Sequence, residues 1–301
     1  MSRLTYIEQP CKSVLNRVEG MPFKWSINPY TGCAHACRYC YARAFYMKAD
    51  RGTAEEFDRQ IYVKVNAPEV LRTELARRSW KRELVVVGAA TDPYQPGEAR
   101  FAITRSILEA LRDYRTPVSL ITKGPLILRD LELLRQVDQA AGVEVHITIP
   151  TLDERAWRSL EPRTPPPSAR LAAVRRLNAA GIRTGVFLAP ILPGISDDER
   201  SLRSLLEAAR EAGAPYVVPI TLRLAPGVRE WFLPHISQHF PHLTLPYCRL
   251  YQKVEARPDY KARTLGLAAS LLQELGLASS PGEMRRPPAS APEVQQLRLS
   301  I

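Results

Sequence analysis

Cysteine is scarce in this chain: there are five in 301 residues, and two of them, Cys11 and Cys248, stand alone. Such a count excludes a disulfide-stapled scaffold, which needs paired cysteines at high density. Histidine is as scarce, at five, and beyond the clustered cysteines only the isolated Cys11 and Cys248 remain, with His35 inside the same loop, so no second cysteine pair completes a zinc knuckle. The expectation is a cytoplasmic protein with no membrane partner, because the chain shows neither a secretory leader nor an apolar run long enough to span a bilayer. Acidic residues are also in deficit. Asp and Glu number 31 against 42 Lys and Arg, a net charge of +11. That balance attracts polyanions, nucleic acid first among them. The basic residues are spread along the sequence, so a solvated surface is the competing reading.

Three cysteines do fall together. Cys33, Cys37 and Cys40 lie in the run Asn28-Pro-Tyr-Thr-Gly-Cys-Ala-His-Ala-Cys-Arg-Tyr-Cys-Tyr-Ala-Arg43. Three soft thiolates from one short loop suit an iron–sulfur cluster. A [4Fe–4S] cube usually takes four cysteines, so three leave one iron open to a small molecule. An open metal position marks a site that does chemistry.

After this loop, short apolar runs alternate with amphipathic ones. Strands are expected at Phe23–Ile27, Leu84–Ala89, Val118–Thr122, Val143–Ile149, Thr184–Ala189 and Tyr216–Thr221. Helical patterns cover Ala99–Tyr114, Arg129–Ala141, Ser168–Ala180 and Asp197–Ala212, and Gly142, Gly181 and Gly213 follow three of them as C′ residues. Continuous apolar strands separated by helices imply parallel pairing. The fold class is therefore α/β, an open (β/α)6 partial TIM barrel with a C-terminal helical extension. The expected divisions are an N-terminal extension (1–22), the partial barrel (23–221), a helical cap (222–277) and a disordered tail (278–301). Catalysis in βα barrels sits at the C-terminal ends of the strands, where the cysteine loop emerges.

The CxxxCxxC spacing with Tyr39 before its last cysteine resembles the signature of radical S-adenosylmethionine (SAM) enzymes, whose core is such a partial barrel. The longer string from Asn28 to Arg43 is similar to the spore-photoproduct-lyase-like, or "DNA repair photolyase", branch. The resemblance implies that Cys33, Cys37 and Cys40 hold a [4Fe–4S] cluster. The cluster would cleave SAM reductively to a 5′-deoxyadenosyl radical, using electrons from a low-potential donor of the flavodoxin or ferredoxin type.

Further candidates line the expected mouth. Strand two runs into Thr91-Asp92-Pro93-Tyr94-Gln95-Pro96, the pattern of that branch, in place of the Gly-Gly-Glu many radical SAM enzymes carry. Thr91 and Asp92 are expected at the cofactor, with Asp92 and Glu98 offering carboxylates near its sulfonium; a proline-rich turn is the structural alternative. Photoproduct lyases carry a hydrogen-donating cysteine in this segment, where this chain has Ala89 and Ala90. Cys248 is a conceivable substitute. By resemblance Lys123 would contact the SAM carboxylate, a solvated surface lysine being the alternative. Thr148 could hydrogen-bond the ribose, and His146 shares its face as either a functional or a satisfied structural group. Glu161 and Arg163 form a polar pair on a stiff loop, fit for cofactor or substrate, with a Pro-capped start to the following helix as the structural alternative; by resemblance the Pro190 segment is used against adenine.

Beyond the barrel, residues 222–277 are expected to close over the cluster and exclude water. The tail from Ser279 to Val294 is rich in Pro, Ser and Ala. It ends in a run where Gln296, Leu297, Leu299 and Ile301 resemble a sliding-clamp-binding motif, with a meaningless tail as the alternative. The leading function is radical SAM chemistry on nucleic acid, as DNA lesion repair or modification. Modification of a protein or metabolite, or a non-catalytic metal-stabilised DNA- or clamp-associated module, are the alternatives.

Overall fold

A computed structural model describes residues 4–49 and 54–282. The clamp-like motif at 296–301 lies outside them. The first half of the chain forms β1 (Thr5–Gln9), β2 (Asn16–Arg17), β3 (Trp25–Ile27), β4 (Tyr30–Thr31), α1 (Ala42–Lys48), β5 (Gln60–Lys64), α2 (Ala67–Leu75), β6 (Val85–Val87), α3 (Glu98–Phe101), α4 (Ile103–Asp113) and β7 (Val118–Thr122). The second half forms α5 (Leu131–Ala140), β8 (Val143–Thr148), α6 (Glu154–Leu160), α7 (Pro167–Ala179), β9 (Thr184–Ile191), α8 (Glu199–Glu211), β10 (Val217–Thr221), α9 (Val228–His239), α10 (Thr244–Leu250) and α11 (Pro258–Glu274).

Among the described residues, seven strands make one open sheet in the order β10-β9-β8-β7-β6-β3-β2. Within it β3 and β6 to β10 pair in parallel, and β2 runs antiparallel to β3. The expected α/β class and open parallel sheet are thus found. Both faces of the central strands are covered: β6 is three buried valines, and β8, Val-Glu-Val-His-Ile-Thr, is buried throughout. The helices bury one stripe each, such as Ile107, Leu108 and Leu111 of α4 and Leu202, Leu205, Leu206 and Ala209 of α8.

Among the departures from the expected elements, three bear on the fold. The single helix over Ala99–Tyr114 is two, broken at Ala102 in the left-handed region with φ of 51°. Glu98 causes the break physically: its carboxylate turns back to accept from the backbone N–H groups of Thr104 (3.0 Å) and Arg105 (3.3 Å), capping α4. Helix α5 begins two residues later than expected, after a 3-10 segment at Pro125–Asp130. A second, three-stranded sheet in the order β1-β5-β4 had no sequence signal. Residues 4–22 contribute strands to both sheets. The carboxylate of Glu74 anchors them, accepting from the Ser13 hydroxyl (2.6 Å) and the Leu15 amide (2.9 Å).

At the other end of the chain, α9 and α10 pack against the cysteine loop. Phe232, Ile236, Tyr247 and Tyr251 share one buried cluster with Cys37, Tyr39 and Leu160. Among the described residues no helix is long and apolar enough to cross a membrane.

Candidate active site

The cysteine loop leaves the C-terminal end of β3 and is held by the loop that leaves β6. Asn28 Oδ1 accepts from the backbone N–H groups of Ala90 (2.8 Å) and Thr91 (3.3 Å). The Thr91 hydroxyl donates to Tyr30 O at 3.1 Å. Gln95 accepts from Ala34 N at 2.8 Å and donates to Gly32 O at 3.3 Å. Tyr30 donates to Glu98 Oε2 at 2.5 Å. Two loops far apart in sequence thus become one platform.

Asp92 is fully engaged within that platform. Oδ1 accepts from Thr122 Oγ1 (2.6 Å) and Tyr94 N (2.9 Å), and Oδ2 accepts from Lys123 N (2.7 Å). His35 Nδ1 lies 3.2 Å from Oδ2, an ion-pair distance without hydrogen-bond alignment. Burial pushes the Asp92 carboxyl up, but His35, Thr122 and Lys123 outweigh it and hold it at about 2. Burial likewise pulls His35 down, and Asp92 outweighs it to bring the imidazolium to about 10. The pair is ionised and ties the centre of the cysteine loop to β7.

Gly88 lets these loops approach. Its φ is +94°, and a Cβ there would lie 2.4 Å from Ile121 O and 2.6 Å from the Pro93 ring. Gly88→Ala is expected to destabilise the protein by roughly 2–4 kcal/mol, left-handed strain adding to overpacking. Thermal unfolding checks this, and a shift of less than a degree would contradict it.

A second set of charges surrounds Cys37. Glu161 accepts from the Tyr39 hydroxyl, and the same oxygen lies 3.8 Å from Lys123 Nζ and 3.9 Å from Cys37 Sγ. Its other oxygen accepts from Arg170 Nη2 at 2.6 Å. Arg170 is fully buried and also donates to Thr148 O (3.1 Å), Pro165 O (2.9 Å) and the Thr164 hydroxyl (2.5 Å). Burial pushes the Glu161 carboxyl up, yet Arg170 and Lys123 outweigh it and hold it below its ordinary range.

Of the residues expected at the site, Thr91, Asp92, Lys123 and Glu161 are brought around the cysteine loop. Thr91, Asp92 and the buried Glu98 direct side-chain oxygens to protein partners. Thr148 is buried at the end of β8. Arg163 is bound to Asp58 O at 3.1 Å, away from the Glu161 carboxylate that Arg170 occupies. Pro190 lies in β9 after a cis peptide bond. His146 is a satisfied structural group, with Ser119 Oγ at 2.9 Å, Tyr216 OH at 3.1 Å and Phe187 stacked at 4.2 Å. Ala89 O accepts from the Tyr41 hydroxyl, and Ala90 packs against the cluster containing Cys33. Cys248 is half-buried on α10.

Sequence reasoning missed Arg170, Asn28 and Gln95 as parts of the site. Arg170 sits in the first turn of an ordinary helix and carries no local signal. A cavity of about 270 Å³ opens beside the loop, lined in part by His35, Tyr94, Gly124, Arg163 and Thr164.

The sequence matches the family model of the radical SAM superfamily over residues 27–219. An uncharacterised protein of Mycobacterium tuberculosis (strain H37Rv) is 39% identical over 279 residues, covering 91% of this chain and 82% of that protein. A radical SAM Nα-GlyT isomerase of Pseudomonas phage M6 is 25% identical over 191 residues, 63% of this chain and 38% of the isomerase. Spore photoproduct lyase complexed with dinucleoside spore photoproduct shares the fold, with a TM-score of 0.67 at 16% identity, over 90% of this chain and 79% of the lyase. A variant of that lyase with bound AdoMet and the photoproduct superposes with a TM-score of 0.66 at 17% identity.

The matched family uses a [4Fe–4S] cluster and SAM, and the residues present fit both. Cys33 and Cys37 are buried and Cys40 half-buried in one loop. Burial pushes the Cys37 thiol up, with Lys123 opposing and Glu161 and the neighbouring thiols adding; burial and then Cys33 do the same at Cys40. Thiolates crowded into a dry loop are stable beside cations, which irons supply. Among the described residues no three His, Cys, Asp or Glu side chains gather round a single ion. A cube, which takes each thiolate on a separate iron, does not ask for that. Toward SAM, Lys123 is a part-exposed ammonium at the end of β7, next to this loop.

Proposed function

This chain belongs to the radical SAM superfamily, and we propose that it applies that chemistry to nucleic acid, as an enzyme of DNA lesion repair or modification. When bound, the cluster and SAM supply reductive cleavage of the sulfonium and a hydrogen-abstracting radical. The chain's own residues bind, orient and seal. Cys33, Cys37 and Cys40 hold three irons, while Asn28, Gln95 and Asp92 keep their loop in register with β6 and β7. Lys123 offers the SAM carboxylate a cation that Glu161, already neutralised by Arg170, does not monopolise. The layer of α9 and α10 behind Cys37 and Tyr39 excludes water from that side. Electrons come from an external low-potential donor, of the flavodoxin or ferredoxin type in this reading.

The choice of nucleic acid rests on charge: the net +11 is joined by guanidiniums of Arg38, Arg43, Arg59 and Arg163 beside the cysteine loop, facing the carboxylate of Asp58. The lyase likeness supplies a fold and not a substrate, and Ala89 and Ala90 leave the segment after β6 without a thiol to return a hydrogen atom. Reversal of the spore photoproduct is accordingly not the reaction proposed. Anaerobically reconstituted protein, reduced in the presence of SAM, should release 5′-deoxyadenosine, and irradiated or modified DNA should raise the yield. Stimulation by a peptide or metabolite while every DNA is inert would overturn the nucleic-acid reading.

A further inference from the structure

We propose that Arg38 and Arg163 form a phosphodiester-binding subsite beside the cysteine loop, floored by the Arg43–Asp58 ion pair and Trp231. The proposal rests on the nucleic-acid reading above and places the backbone of that substrate.

Arg38 lies between Cys37 and Tyr39, its amide donating to Leu160 O at 2.9 Å. The guanidiniums of Arg43, Arg59 and Arg163 all act on it, with Asp58 as the countercharge. That countercharge is largely spent. Asp58 Oδ2 is 2.8 Å from Arg43 Nη2, both side chains being buried, and Oδ1 is 3.9 Å from Arg163 Nη1. Arg43 has no capacity for a ligand, since it also donates to Cys37 O and Ala54 O. Arg38 Nε, by contrast, is buried without a hydrogen-bond partner among the described residues. Trp231 carries Arg43 at 4.7 Å and Arg38 at 5.6 Å from its ring centroid, fixing their planes.

Like charges gathered at a half-dry surface are costly unless an anion completes them. Guanidinium forks match phosphate oxygens two at a time, which a point-charge ammonium does not. The Arg163 side chain is 44% exposed, so an incoming chain can reach it. A phosphodiester bound here would lay a strand across the edge of the cysteine loop, with the adjacent base free to enter the mouth. The SAM carboxylate is served separately by Lys123.

The test measures binding of a fluorescent single-stranded oligonucleotide to the reconstituted protein from about 50 to about 200 mM salt, a range over which phosphate contacts register strongly. Arg38→Gln and Arg163→Gln are each expected to weaken binding roughly tenfold or more at low salt. Each should reduce the slope of log K against log salt by about 0.7, the single-strand value for one lost phosphate contact. Arg→Lys at the same positions should restore the slope but only part of the affinity. Arg163 is at the surface, so its variant tests the proposal even if Arg38→Gln impairs cluster loading. Wild-type binding with a normal slope that neither variant changes would overturn the subsite and leave the nucleic-acid reading standing. No binding by the wild type would overturn both.

Discussion

Serine in place of Cys37 is expected to reduce cluster-dependent chemistry to background. The reconstituted variant should show iron content and absorbance at about 400 nm far below wild type, and no 5′-deoxyadenosine after reduction with SAM. The reason is the donor set. Three thiolates from one loop each take a corner of the cube, and a hydroxyl neither ionises at neutral pH nor matches a soft metal. Cys37 is the most demanding of the three positions. It is buried, 3.9 Å from Glu161, in the same apolar cluster as Tyr39, Phe232 and Tyr247. Cys33→Ser and Cys40→Ser should do the same, whereas Cys11→Ser and Cys248→Ser should retain the cluster. Full iron loading of Cys37→Ser would remove that residue from the ligand set.

Arg170→Met is expected to cost about 3–5 kcal/mol of stability, the usual penalty for removing one partner of a buried ion pair. Arg170 supplies Glu161, Thr164, Pro165 and Thr148 with hydrogen bonds and is fully buried. Without it, an uncompensated carboxylate remains beside Cys37 and Tyr39. Cluster loading should fall as well, because Glu161 would then repel the thiolate it now sits next to. Glu161→Gln in the same background should recover part of the loss, since an amide needs no countercharge in a dry site. Denaturant unfolding of the two single variants and the double variant measures the coupling. Additive effects, or an Arg170→Met cost below about 1 kcal/mol, would show that the pair is not carrying the loop.

The parts of the fold legible in the sequence are those where a local pattern meets its partner nearby. β6 reads as an unbroken apolar run, and β7 and β8 as short runs rich in valine and isoleucine, and the cysteine spacing announced a site at the end of β3. The small sheet was not legible. β5 is a partly exposed run, Gln60-Ile-Tyr-Val-Lys64, whose parallel partner β1 lies some fifty residues earlier. The break at Ala102 has neither glycine nor proline to mark it, and arises because Glu98 turns inward to cap α4. At the site, residue type was visible but allegiance was not. Asp92 and Glu98 read as carboxylates for a cation, yet backbone amides, hydroxyls and charged neighbours consume them. Arg170 is central to the charge balance at Cys37, and no spacing rule ties the first turn of α7 to Glu161.

The central claim, that the radical takes its hydrogen atom from nucleic acid, is tested most directly by isotope transfer. Reconstituted protein is reduced with SAM in the presence of uniformly deuterated DNA, irradiated and unirradiated, and the released 5′-deoxyadenosine is weighed by mass spectrometry. The account predicts deuterium in the 5′-deoxyadenosine with one of these DNAs and none with unlabelled DNA. Steady 5′-deoxyadenosine formation that never acquires deuterium from any DNA, with the cluster intact, would contradict it.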